Sequence, residues 1–112
     1  MRYNTVMILP AHAQIAAEKL TRYLLVPKAR NDKSKWLGRA GYTLDNWPQL
    51  EADLRRQVLT QAAEIDETNQ FGDAYRIECD MIGPNGRVLR VVTIWMQEHE
   101  TGQTKFITMY PA

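Results

Sequence analysis

The chain has 112 residues, 45% hydrophobic and 24% charged, with a formal net charge of +1, which suits one core and leaves little room for a second. Its single cysteine, Cys79, excludes an internal disulfide, and the apolar run from Val6 ends at Pro10 after four residues, short of the roughly 7 of a signal core and the roughly 20 of a membrane span. The expectation is one cytoplasmic domain over residues 1–112 that does not cross a membrane.

In chain order, Leu20, Tyr23 and Leu24 fall at helical spacing in a first helix over 16–25, stopped by Pro27. Asp32 is placed to cap a second helix over 33–40, with Trp36, Leu37 and Ala40 as its apolar stripe and Gly41 as its stop. Asp45 and Asn46 precede Trp47-Pro48, a helix-start pattern, and Leu50, Leu54, Val58 and Ala62 then recur every fourth residue, which predicts a third helix over 47–63. The helical half runs to about residue 66.

From about residue 71 the period falls to two. Tyr75, Ile77, Cys79 and Met81 alternate with Arg76, Glu78, Asp80 and Ile82, as in a half-buried strand. Gly83-Pro84-Asn85-Gly86 is a hairpin signal, the return strand runs over 87–97, and a last strand covers 104–110. A two- or four-residue loop gives paired residues an odd sum. That parity puts Arg90, Val92, Ile94 and Met96 on the core face, and Val91, Thr93 and Trp95 on the other face. In the last strand Ile107 and Met109 are read as core, with Phe106, Thr108 and Tyr110 opposite. The fold class is therefore α+β, with N-terminal helices packed on one face of a C-terminal antiparallel β-meander in two layers. The expected core contains Leu50, Leu54, Val58, Ile77, Val92 and Ile94.

The near-neutral total hides a segregation of charge. Residues 19–39 carry seven basic side chains against Asp32, a net +6, whereas residues 45–80 carry nine acids against three arginines, a net −6. The basic block includes Lys28, Arg30, Lys33 and Lys35, which either grip phosphates or solvate two helices. Thr93, Trp95, Thr108 and Tyr110 form a second group, able to stack a base and hydrogen-bond a sugar or phosphate, or present because strands favour these residue types. Cys79 reads as a small core hydrophobe, and His12 and His99 stand far apart. No phosphate loop, paired Cys-x-x-Cys or zinc-protease helix occurs, so neither a cofactor nor a metal is expected.

Lys19-Leu20, Tyr23-Leu24-Leu25, Lys33 in a short helix, Gly41-Tyr42, Phe71-Gly72-x-x-Tyr75, Gly83-Pro84-Asn85-Gly86, Thr93-x-Trp95 and Thr108-x-Tyr110-Pro111 together resemble a family of small uncharacterised bacterial domains. These occur alone and as tails of polymorphic toxins, and are similar to the barnase, EndoU, colicin and RelE group of ribonuclease toxins. The resemblance implies a metal-independent ribonuclease with Lys33, Thr93, Thr108 and Tyr110 as its catalytic set. Lys33 would be the cation for the phosphorane, assisted by Arg76, Tyr110 the acid or base, and Trp95 a stacking neighbour. The chain departs from the toxin pattern in lacking an evident catalytic histidine and in its low net charge. A second reading is a non-catalytic module or inhibitor from a mobile element, which docks a partner protein, or a second copy of itself, through the segregated charges.

Overall fold

The computed structural model describes residues 6–112. Their architecture is α+β: a five-stranded antiparallel sheet in the order β1-β2-β3-β4-β5, with short helical segments between its first two strands. The strands are β1 (Val6–Met7), β2 (Ala63–Thr68), β3 (Gly72–Ile82), β4 (Val88–Glu98) and β5 (Thr104–Pro111). The helices are α1 (Ser34–Gly38) and α2 (Trp47–Asp53), accompanied by π-helical turns at Lys19–Leu24 and Leu54–Val58.

Each helical segment follows from local chemistry. Asp32 Oδ1 accepts hydrogen bonds from the Ser34 amide at 2.8 Å and the Ser34 hydroxyl at 2.6 Å, satisfying donors that the start of α1 leaves open. Thr43 and Asn46 form a capping box ahead of α2, and Pro48 stands in its first turn. The third predicted helix is shorter than its periodicity suggested. Its wide last turn, closed by the Leu59 amide on the Leu54 carbonyl at 2.9 Å, ends at Val58. Ala62 is then exposed outside the helix, and Ala63 opens β2. The helical half was expected to run to about residue 66, but Ala63–Thr68 is a strand, with only Ala63 buried and so no alternation to announce it. Pairing with β1 and β3 makes it a strand.

The hairpin corrects the predicted faces. The Gly83 amide donates to the Arg87 carbonyl at 2.9 Å and the Gly86 amide to the Gly83 carbonyl at 2.9 Å, with Gly86 at φ +86°. The loop between this pair is therefore Pro84-Asn85-Gly86, three residues with glycine at the left-handed position. An odd loop makes paired numbers sum to an even value, as in Tyr75↔Trp95, Ile77↔Thr93 and Cys79↔Val91. Leu89, Val91, Thr93 and Trp95 consequently join Tyr75, Ile77, Cys79 and Met81 on the core face, while Arg90, Val92, Ile94 and Met96 share the outer face with Arg76, Glu78 and Asp80.

A bulge between Ile94 and Trp95 in the pairing with β5 shifts the last strand in turn. Phe106, opposite Trp95, is buried in the core, and Met109, opposite Thr93, is buried as expected. Ile107 is taken up by the bulge and is only half-buried. Thr108 and Tyr110 face outward, opposite Ile94 and Val92. The core cluster joins Leu20, Leu37, Leu50, Leu54 and Val58 of the helical segments to Ile77, Met81, Val91, Trp95 and Met109 of the sheet. Of the predicted core set, Val92 is buried on the outer face, outside this cluster, and Ile94 is half-buried there.

Candidate functional site: a lysine groove at the edge strand

The basic block folds back on itself. Pro27 ends the first helical segment, Asn31 adopts φ 55°, a left-handed conformation that asparagine tolerates, and Asp32 starts α1. This tight path brings Lys28 and Lys33 to the same place as Lys19, beside the bulged stretch of β5. The result is a groove of about 520 Å³ walled by Lys19, Tyr23, Lys28, Asn31, Lys33 and Thr108, with Leu24 and Ile107 as apolar lining. None of these groups is acidic. The nearby Asp32 carboxylate is held below its ordinary range, chiefly by the Ser34 hydroxyl and then by the Ser34 amide.

Lys33 Nζ donates to Thr108 Oγ1 at 3.2 Å, and Lys19 Nζ donates to the Ile107 carbonyl at 3.1 Å. The bulge sets up both contacts by turning Ile107 out of regular pairing and offering Thr108 at the strand's outward face. Burial first, and the like charge of Lys28 second, hold the Lys33 ammonium below its ordinary range. Lys28 Nζ lies 4.3 Å from the centroid of the Tyr23 ring, a cation–π contact.

Three sequence-selected residues, Lys28, Lys33 and Thr108, thus meet in this groove, and Tyr110 stands outside its lining. Lys33 and Thr108 touch, Lys28 lines the same wall, and Tyr110 follows Thr108 on the outward face, 37% exposed. Arg76 shares that face, in the row Arg76–Ile94–Thr108. Its guanidinium is raised above its ordinary value chiefly by the Glu78 carboxylate 2.7 Å away, with the Tyr110 hydroxyl as a further partner. Arg30 and Lys35 are exposed and do not line the groove.

Thr93 and Trp95 are not on this surface. Both are fully buried on the core face, where Trp95 Nε1 donates to Thr93 Oγ1 at 2.8 Å and the indole meets Phe106 edge-on at 5.1 Å. They were assigned outward by the odd-sum pairing, and the three-residue hairpin loop moves them inside. Neither can stack a base or hold a phosphate there. Lys19, Tyr23 and Asn31 complete the groove and were not singled out. Tyr23 was counted in the apolar stripe of the first helix, yet it is 55% exposed while Leu20 and Leu24 are buried. The Leu25 amide bonds the Leu20 carbonyl five residues back, and that wider π turn takes Tyr23 off the buried side. The available signal was the four-residue spacing of Lys19 and Tyr23, ahead of Lys28.

Cys79 faces the core, where burial raises its thiol pKa, a setting for an inert thiol. His99 Nε2 lies 3.3 Å from Asp73 Oδ1 on an exposed turn. Among the described residues, no three His, Cys, Asp or Glu side chains group to hold a metal ion, and no helix is long and apolar enough to cross a membrane.

The fold and groove define a small α+β domain that gathers lysines against the edge of an antiparallel meander. Residues 10–112 match the model of the family described as Domain of unknown function (DUF6883), and the chain belongs to that family. No curated protein and no solved structure matches it.

Proposed function

We propose that this domain binds RNA phosphodiesters in the lysine groove and cleaves them without a metal ion, as a cytoplasmic relative of the ribonuclease toxins. The observation that carries the reading is the convergence of Lys19, Lys28 and Lys33 on one cavity, with Lys33 Nζ fixed 3.2 Å from Thr108 Oγ1. The helical half is taken as a layer packed on the core face of the sheet, an arrangement supported by the shared core cluster.

In this proposal Lys19 and Lys28 neutralise the scissile phosphate. Lys33, whose ammonium gives up its proton more readily than an exposed lysine, takes the proton of the 2′-hydroxyl while Thr108 orients it. The 2′-oxygen forms a bond to phosphorus and the bond to the 5′-oxygen breaks. Tyr110, roughly 7 Å along the strand from Thr108, protonates the leaving oxygen, and the products are a 2′,3′-cyclic phosphate and a 5′-hydroxyl. Arg76 assists from the central strand of the same outward face. The competing protein-docking reading loses part of its basis, because Glu78 and Asp80 of the acidic segment pair with Arg76 and Arg90 within the sheet.

The test is incubation of labelled RNA with the wild type and with Lys33→Ala, scoring cyclic phosphate ends. Cleavage by the wild type, lost in a Lys33→Ala protein that melts normally, supports the proposal. No cleavage together with no salt-dependent RNA binding overturns it and returns the domain to the protein-docking class.

A further inference from the structure

We infer that Tyr23 is a nucleobase platform at the rim of the groove, so that the ligand is single-stranded RNA presenting an unstacked base beside the bound phosphate; this rests on the phosphate-binding reading above. Tyr23 is an aromatic ring left 55% exposed on a segment whose neighbours Leu20 and Leu24 are buried. It lines the same groove as Lys19, Lys28 and Lys33. An aromatic face among cations that track a backbone is the combination that holds single strands, because every base offers a π-face and every nucleotide a phosphate. A duplex keeps its bases stacked inside and offers that ring nothing.

Lys28 explains how one ring serves both states. Its Nζ sits 4.3 Å from the Tyr23 centroid and covers the aromatic face in the absence of ligand. A phosphate entering between Lys28 and Lys33 gives the Lys28 ammonium a full negative charge to bind instead of a ring quadrupole, and charge-assisted contacts are the stronger of the two. Movement of Lys28 toward the phosphate uncovers the ring as the adjoining base arrives. The role that sequence alone gave to Trp95 passes to a tyrosine 72 positions earlier, since Trp95 is sealed in the core.

The experiment measures fluorescence anisotropy with two labelled octamers, a 2′-O-methyl oligonucleotide that cannot be cleaved and its abasic counterpart of equal charge. Tyr23→Ala is expected to weaken binding of the base-bearing octamer roughly 5- to 150-fold, the range for one aromatic–base stack, and to leave the abasic octamer unaffected. Tyr23→Phe and Tyr23→Trp should bind like the wild type. Equal affinity of Tyr23→Ala and wild type for the base-bearing octamer, or an equal loss on both octamers, overturns the platform. If wild type binds neither octamer in a salt-dependent manner, the failure lies in the phosphate-binding reading. Salt-dependent binding of both, unchanged by Tyr23→Ala, leaves that reading standing and removes only the platform.

Discussion

Tyr42→Phe tests the buried polar contact that ties the segment after α1 to the end of α2. The Tyr42 ring is fully buried, and its hydroxyl donates to Asp53 Oδ2 at 2.6 Å. Asp53 is itself buried, and its other oxygen, Oδ1, accepts from Gln49 Nε2 at 3.1 Å and lies 3.7 Å from an Arg56 nitrogen. Phenylalanine keeps the ring's packing and removes the hydroxyl from Oδ2 and from the Ile82 carbonyl 3.3 Å away, but Oδ1 keeps Gln49 and the carbonyl keeps Gln57, so both acceptors stay partly satisfied. A hydrogen bond to a charged group contributes about 1.5–3 kcal/mol, and that is the expected loss. With an unfolding entropy near 2.1 cal/mol/K per residue over 112 residues, it corresponds to a fall in Tm of roughly 6–13 °C. Urea melts at neutral pH read the change as a lower midpoint at unchanged slope.

The same pair predicts a pH dependence. Burial first, and Asp53 second, raise the Tyr42 hydroxyl pKa above the ordinary value of 10.0. A group whose folded pKa is raised contributes fully below its unfolded pKa and loses that contribution as pH rises toward the folded value. Wild-type stability should therefore fall above about pH 10 by more than that of Tyr42→Phe. A loss below about 0.5 kcal/mol at neutral pH, inside the range of ordinary surface changes, would show that Asp53 does not depend on this hydroxyl.

Other outcomes follow from the groove and the hairpin. Gly83→Ala should destabilise the fold by about 1–3 kcal/mol, since an added Cβ would overlap the Ala40 carbonyl, and a melt unchanged from wild type would show that the contact can relax. Lys28→Glu should lower the log–log salt slope of RNA binding by about 0.7 per lost phosphate contact, whereas Lys35→Glu, outside the groove, should not change it; equal effects would mean diffuse attraction. Cleavage should persist in chelator, and a requirement for added divalent ion would relocate the chemistry. With the Lys33 pKa lowered by burial and by Lys28, the unprotonated amine grows as pH rises. Activity should therefore increase from neutral pH toward the alkaline side, and Lys33→Arg, which cannot deprotonate, should be inactive. An active Lys33→Arg would reduce Lys33 to a fixed charge.

Strongly periodic stretches were legible and punctuation was less so. Leu50, Leu54 and Val58 are core residues because a four-residue repeat admits one buried stripe, and Ile77, Cys79 and Met81 because strict alternation admits one buried face. β2 was hidden because only Ala63 of its six residues is buried, so pairing rather than patterning makes it a strand. Tyr23 was misplaced because a π turn and an α-helix differ in backbone bonding, which residue types do not encode. Asp32, Asn46 and Pro48 marked helix starts correctly because their side chains act on backbone donors a few residues away.

The faces and the candidate site depended on two local irregularities. Gly86 at φ +86° lets Pro84-Asn85-Gly86 close as a three-residue loop, and that single unit of length exchanges every side chain of β4 between core and exterior. Thr93 and Trp95 go inward through this exchange. Thr108 stays outward because the bulge at Ile94 and Trp95 inserts one residue into β5 between Phe106 and Thr108. Without that insertion, burying Phe106 against Trp95 would turn Thr108 inward beside it, and Lys33 would find no hydroxyl at the groove. The loop removes two of the four expected catalytic and stacking groups from the sheet face, and the bulge keeps the other two at the edge reached by the basic segment. That edge is where Lys19, Lys28 and Lys33 meet Thr108, with Tyr110 two residues further along the same outward row, so the groove is a product of the bulge and not of the regular alternation of the sheet.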